Sequence, residues 1–154
     1  MKFILLITVI GLLAVGTPSQ EPCPVDNPCG GIPRWSEHGN VQWRDERARL
    51  DNLASQFRKS PNHVIYFLVY AGTRSCKDEA RLRALRAKKY LVQHHSIPPK
   101  SISWRDGGFV PELSFEIWLL HQDQPLPEPS TFMTIDPAAV KSQRKCREYR
   151  QGKG

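Results

Sequence analysis

The sequence lacks most of the features that identify large functional classes. No internal run reaches the roughly 18 apolar residues that a membrane-spanning helix needs. No segment repeats at a fixed period, which excludes a solenoid. No G-x-S-x-G, H-E-x-x-H, P-loop or dinucleotide-binding motif is present. We therefore expect a non-catalytic protein without a cofactor, because no set of residues forms a recognisable catalytic site.

Acidic residues are also in the minority. The chain has 15 Asp and Glu against 22 Lys and Arg in 154 residues, a formal net charge of +7. This length allows one domain of ordinary size. A charged fraction of 24% and an aromatic fraction of 9% are typical of a globular protein. The positive charge favours anionic partners without selecting one of them.

Residues 1–20 have the three parts of a secretory signal peptide. Lys2 is followed by an almost unbroken apolar stretch over residues 3–15 and by small and turn-forming residues over 16–19. The apolar stretch is short for an uncleaved anchor. Gln20, Glu21 and Pro22 are not the small apolar residues that lipid attachment at Cys23 needs. We expect export with cleavage and a mature chain without a transmembrane segment. The expected partners are then anionic envelope components or a protein rather than nucleic acid.

Export makes disulfides the default state of the four cysteines, Cys23, Cys29, Cys76 and Cys146. Three pairings are possible. Cys23 and Cys29 suit a small local loop, which leaves Cys76 to pair with Cys146. The alternative is a four-cysteine zinc site, but the spacings contain no C-x-x-C pair. His94 and His95 are adjacent on a predicted helix and do not face one ion. We therefore expect no metal site.

Two segments have the apolar spacing of amphipathic helices. In residues 44–59 the apolar positions are Leu50, Leu53, Ala54 and Phe57, and in residues 78–94 they are Ala80, Ala84, Ala87 and Leu91. Residues 64–70 form a continuous β-branched and aromatic run, which is typical of a central strand covered on both faces. Residues 101–105 and 113–120 alternate and predict two further strands.

The remaining segments are expected to be irregular or short. Residues 21–39 are rich in proline and hold two cysteines, which predicts an irregular, disulfide-tied segment before a short strand over 40–43. Asp106-Gly107-Gly108 is interpreted as a turn rather than a ligand-binding loop. Residues 122–137 are expected to be a proline-rich linker. Residues 138–154 are expected to be a basic tail that contains a short helix. The order of elements predicts an α+β domain over residues 40–121, in which two helices cover one face of a sheet.

Several short motifs carry a resemblance to a known family. They are the run Arg83-Ala84-x-x-Ala87-x-x-Tyr90-Leu91, the pair Ile97-Pro98, the pair Ile102-Ser103 and the final Phe115-Glu116-Ile117. In this order they resemble the OmpA C-terminal-like family of bacterial envelope domains, over roughly residues 40–121. The resemblance implies a two-layer sandwich with a mixed sheet. It also implies a location in the periplasm or cell envelope of a bacterium, or outside the cell.

The family usually anchors to peptidoglycan through an Asp and an Arg that hold a stem peptide. Carried over to this chain, the Arg falls on Arg83 and the Asp falls on Arg74, in a shorter loop that contains Cys76. A guanidinium cannot accept a hydrogen bond as the Asp does, although paired arginines suit an anionic group. We expect a binding or structural module with an altered ligand site formed by Arg74 and Arg83. The alternatives are peptidoglycan binding through Arg83 and a small exported hydrolase whose site the sequence does not identify.

Overall fold

A computed structural model describes residues 33–76, 78–132, 134–140 and 146. The expected signal peptide, the Cys23 and Cys29 pair and most of the basic tail, including its expected helix, lie outside the described residues. In the part of the chain that is described, no helix has the length and apolar character needed to cross a membrane.

The described residues form four strands and two long helices. In chain order they are β1 (Ser36–His38), α1 (Trp43–Lys59), β2 (His63–Gly72), α2 (Glu79–His95), β3 (Ile102–Val110) and β4 (Ser114–His121). Two single turns of 3-10 helix, Pro99–Ser101 and Pro137–Ala139, precede β3 and follow β4 respectively. The two helices and three of the strands lie within a few residues of the positions that the sequence predicts.

The four strands form one mixed sheet in the order β1-β4-β2-β3. β2 is parallel to β3 and antiparallel to β4, and β1 is antiparallel to β4. The parallel pair is joined through α2, as two parallel strands require a long crossover connection. This arrangement confirms the α+β prediction with a mixed sheet.

Both helices lie on one face of the sheet and form the main core with it. The fully buried Leu50, Leu53 and Ala54 of α1 pack with the small-residue face of α2. From the sheet, alternate residues of β2 and Phe115 and Ile117 of β4 enter the same cluster. Small residues on α2 let the helix approach the sheet closely, so the predicted stripes of the two helices are confirmed.

The other face of the sheet carries a second apolar cluster and is contacted by the segment after β4. The cluster includes Tyr66, Leu68 and Tyr70 of β2. Tyr66 Oη donates to the carbonyl oxygen of Pro127 at 3.2 Å, and Tyr70 Oη accepts from the backbone N–H of Ser130 at 3.1 Å. Within residues 122–137, which the sequence predicts to be a linker, the part around Pro127 and Ser130 therefore lies against the sheet. This explains how β2 is buried on both faces.

The short strand predicted over residues 40–43 is wrong. Helix α1 already begins at Trp43, and the strand lies earlier, at Ser36–His38, inside the segment expected to be irregular. The sequence of β1 contains no apolar residue, so this segment becomes a strand through its pairing with β4. Glu37 stands directly opposite Glu116, and Arg34 bonds to both carboxylates, which offsets their repulsion. His38 stacks on Phe115, with 5.1 Å between ring centroids.

The turn predicted at Asp106-Gly107-Gly108 is also wrong, because β3 continues through these residues to Val110. In the pairing with β2, Val69 stands opposite Asp106 and Tyr70 opposite Gly108, so Gly107 is an extra residue in a β-bulge. A Cβ atom at Gly107 would overlap the Tyr70 ring. The glycines thus permit a close approach inside a strand rather than a change of direction.

Candidate functional site

A small cavity of about 190 Å³ lies at the carboxyl end of β2. Three connections meet there: the loop before α1, the loop between β2 and α2, and the connection from β3 to β4. The cavity is lined by Asn40, Gly72, Arg74, Ser75, Glu79, Pro111, Glu112 and Leu113. We call this the β2-end cavity.

Gly72 lets the β2-end cavity form, because the backbones of two connections meet at it. A Cβ atom at Gly72 would lie 2.7 Å from the backbone nitrogen of Leu113, closer than real contacts allow. The Gly72 N–H donates to Ser75 Oγ at 2.8 Å, and Thr73 Oγ1 donates to the Pro111 carbonyl at 3.1 Å. These bonds hold the loop after β2 against the connection from β3 to β4.

The two candidate arginines lie in different environments. Arg74 is exposed and lines the β2-end cavity. Arg83, on α2, is only 4% exposed and does not line the cavity. The two arginines are still connected through the cavity lining. Glu79 and Asn40 both accept hydrogen bonds from Arg83, and both also line the cavity.

The Arg83 guanidinium is held by side chains from three parts of the chain. Its Nε donates to Glu79 Oε1 at 2.9 Å, one turn earlier on α2, and its Nη2 donates to Asn40 Oδ1. Its Nη1 lies 3.8 Å from Glu46 Oε2, which belongs to α1. This arrangement ties α2 to α1 and to the loop before it. Charge-assisted hydrogen bonds of this kind are stronger than neutral ones.

Glu46 is the most buried charged residue of the group, with no exposed surface. Its Oε2 accepts a hydrogen bond from Arg86 Nη2. The Arg86 guanidinium lies 4.3 Å from the centre of the Trp43 ring, in the geometry of a cation–π contact. Two arginines and two glutamates, Glu46 and Glu79, thus form one largely buried cluster with balanced formal charge.

Burial shifts the pKa values of two groups in this region. Loss of solvent raises the pKa of Glu46 above its ordinary value, against the attraction of Arg86 and Arg83. Of the described residues, none donates a hydrogen bond to Glu46 Oε1, which adds to the cost of the charged form. Burial also lowers the pKa of His38, and the positive charges of the nearby Arg49, Arg83 and Arg86 lower it further.

The loop that carries Arg74 is fixed by a disulfide. Cys76 and Cys146, the pair expected from the sequence, are bonded with their Cα atoms 4.9 Å apart. The backbone N–H of Cys76 donates to Glu79 Oε2 at 3.2 Å, while Glu79 Oε1 accepts from Arg83. Glu79 therefore links the disulfide to the buried charge cluster. Because both cysteine sulfurs are bonded to each other, neither is a thiol nucleophile.

The lining of the β2-end cavity is polar and includes the carboxylates of Glu79 and Glu112. Its described lining includes no histidine, and Ser75 Oγ is engaged by the Gly72 backbone. Within the described residues, no group of three or more His, Cys, Asp or Glu side chains could hold a metal ion. The exposed guanidinium of Arg74 and the carboxylate of Glu112 leave the cavity rim with charges of both signs.

Sequence reasoning missed Glu46, Glu79 and Asn40 as parts of this region. A signal for Glu46 was present, since it lies four residues before Leu50 and falls on the apolar stripe of the first helix. A carboxylate on a buried stripe requires a charged partner. Glu79 and Arg83 also have the i, i+4 spacing of a helical ion pair. Asn40 has no comparable signal, because its contact depends on how the loop before α1 folds back.

The chain was compared with known proteins, and no family model, curated protein or solved structure matches it. Its possible function therefore rests on the geometry of its own residues.

Proposed function

We propose that this protein is a non-catalytic, exported bacterial envelope protein, a binding or structural module with an OmpA-like fold and an altered ligand site. The sequence supports export through the signal-like first 20 residues, and a disulfide fits an oxidising compartment. The mixed sheet with two helices on one face is compatible with the family that the motifs resemble.

The observation that carries the proposal is the placement of the two arginines. The residue that corresponds to the family's ligand-holding Arg, Arg83, is 4% exposed and its guanidinium is bound to Glu79, Asn40 and Glu46. The residue at the position of the family's Asp, Arg74, is exposed at the β2-end cavity. Ligand recognition at this cavity would therefore depend on an exposed cation in place of an anion.

The test is co-sedimentation of the oxidised mature protein with purified peptidoglycan at low and at physiological salt. We expect retention only at low salt, because contacts to an exposed charge are strongly screened at about 0.15 M. The low-salt retention should fall in Arg74→Asp. The matched control is Arg44→Asp, which makes the same change in charge at a site that is 83% exposed and lies outside the cavity.

Equal losses in the two variants would contradict a role for the β2-end cavity and would indicate a response to net charge alone. If the wild type is not retained at either salt concentration, a protein partner becomes the ligand to seek.

A second candidate function is peptidoglycan binding through Arg83. It is favoured by one observation: the guanidinium lies directly behind Asn40 and Glu79, two lining residues of the cavity. A ligand that displaced Asn40 would reach it. Saturable retention at physiological salt that is lost in Arg83→Lys would support this candidate. Arg83→Lys keeps the positive charge that balances Glu46 but removes the planar guanidinium that can donate two parallel hydrogen bonds to one ligand group.

A further inference from the structure

A second, larger depression lies at the other end of β2. Its volume is about 560 Å³, and it forms where β2 begins, where β3 begins and where β4 ends. It is therefore separated from the β2-end cavity by the length of a ten-residue strand, about 30 Å. We call it the β2-start depression. Neither the resemblance nor the proposed function involves it.

The side chains around the β2-start depression are rich in hydrogen-bond donors. Arg58 comes from the last turn of α1 and Lys100 from the 3-10 turn before β3. Ser101, from the same 3-10 turn as Lys100, and Gln122, which follows β4, add neutral donors. No carboxylate is among the described residues that line it.

Neither cation forms a direct ion pair with a carboxylate in the described part of the chain, although His95, the partner of Arg58, also bonds to Asp51. The hydrogen bond of Arg58 goes to the ring nitrogen Nδ1 of His95 at 3.2 Å rather than to an acid. Lys100 forms no ion pair with any described residue. Arg34, Arg83 and Arg105, in contrast, each contact a glutamate. The β2-start depression is thus a concave surface with a net positive charge.

His63 also lines the depression. Its Nδ1 lies 2.8 Å from the carbonyl oxygen of Pro61. A carbonyl only accepts hydrogen bonds, so Nδ1 carries the proton.

We propose that the β2-start depression binds a phosphate group, with Arg58 and Lys100 as the charged donors and Ser101 and Gln122 as neutral donors. Tetrahedral oxyanions accept several hydrogen bonds at once, and guanidinium and ammonium groups are their usual partners in proteins. The volume exceeds that of the anion alone. The group is therefore either free phosphate or the phosphate monoester of a small alcohol.

The test follows amide chemical shifts of the oxidised full chain during titration with inorganic phosphate and with glycerol phosphate at physiological salt. Glycerol is the neutral control. We expect saturable shifts at residues of the β2-start depression. Arg58→Gln and Lys100→Gln should each weaken the affinity by about fivefold, as expected for one exposed charge-assisted contact. Lys100→Arg should keep most of it.

Lys59→Gln is the matched control, because Lys59 is the exposed neighbour of Arg58 on the same helix and does not line the depression. Arg58, Lys59 and Lys100 are all exposed, so an unchanged melting temperature verifies that each variant is folded. Equal affinities for the two compounds indicate free phosphate, and tighter binding of glycerol phosphate indicates an ester. The proposal is overturned if the wild type shows no saturation with either compound. It is also overturned if Lys59→Gln weakens binding as much as Lys100→Gln does.

Discussion

Removal of the Cys76–Cys146 disulfide should lower the free energy of unfolding by about 4 kcal/mol. The bond joins residues separated by 70 positions. On the chain-entropy relation, the entropy that a crosslink removes from the unfolded chain grows with the logarithm of loop length, which gives about 4 kcal/mol for this loop at 25 °C. The Cα separation of 4.9 Å lies within the range that a disulfide normally spans. We therefore expect little of this stabilisation to be lost to backbone distortion.

The measurement is urea unfolding of the oxidised wild type and of the double variant Cys76→Ser/Cys146→Ser, followed by tryptophan fluorescence. With a slope of about 2 kcal/mol per molar urea, the midpoint should fall by about 2 M. Reduced wild type gives a second value. Reduction also opens any bond between Cys23 and Cys29. The difference in unfolding free energy between the reduced wild type and the double variant therefore gives the contribution of that pair.

A stability difference below about 1 kcal/mol at an unchanged slope would refute this reasoning. It would mean that the unfolded chain is already compact around this loop, so that the crosslink removes little of its freedom. A large difference accompanied by a changed slope would show in addition that the crosslink changes how compact the unfolded state is.

Three further substitutions test the core, the buried charges and the bulge. Leu53→Ala, at a side chain with no exposed surface, should cost about 2–5 kcal/mol in urea unfolding, and the exposed Ser55→Ala should cost under about 1 kcal/mol. Because burial raises the pKa of Glu46, the folded state holds this proton more tightly than the unfolded chain. The stability that this provides is complete below the ordinary pKa of 4.5 and is lost as pH rises through the raised value. Glu46→Gln should therefore flatten that fall in a pH series of unfolding free energies, and a wild type that gains stability relative to the variant over this range would contradict the assigned direction. Gly107→Ala should lower the melting temperature, because the added Cβ overlaps the Tyr70 ring; an unchanged melting temperature would show that the ring moves aside without cost.

The sequence predicts well those elements in which the spacing of apolar residues already shows what is buried. Helix α1 places Leu50, Leu53 and Ala54 on one face, and the observed helix buries all three. β2 is a continuous apolar run, and eight of its ten residues are buried. The local pattern of apolar residues is enough to predict these elements, because their apolar residues must be buried whatever they pack against.

The elements that the sequence misses depend on a partner strand. Ser36–His38 has no apolar residue and becomes a strand by pairing with β4 and by the bridging of Glu37 and Glu116 by Arg34. Asp106-Gly107-Gly108 has the composition of a turn, yet pairing with β2 keeps it extended and accommodates Gly107 as a bulge. Inter-strand hydrogen bonds outweigh local turn preference in both cases.

The sequence by itself determined the fold class, the two helices, the central strand and the presence of arginines at two candidate positions. Tertiary structure alone decided which of those arginines is buried and which is exposed. Arg83 is buried because Glu46, far away on α1, and Asn40 converge on its guanidinium. Arg74 is exposed in the loop after β2, which the Cys76–Cys146 bond ties down two residues later. Hydrophobic spacing is a local property of the chain, whereas the burial and pairing of a charge depend on which distant residues the fold brings within a few ångströms.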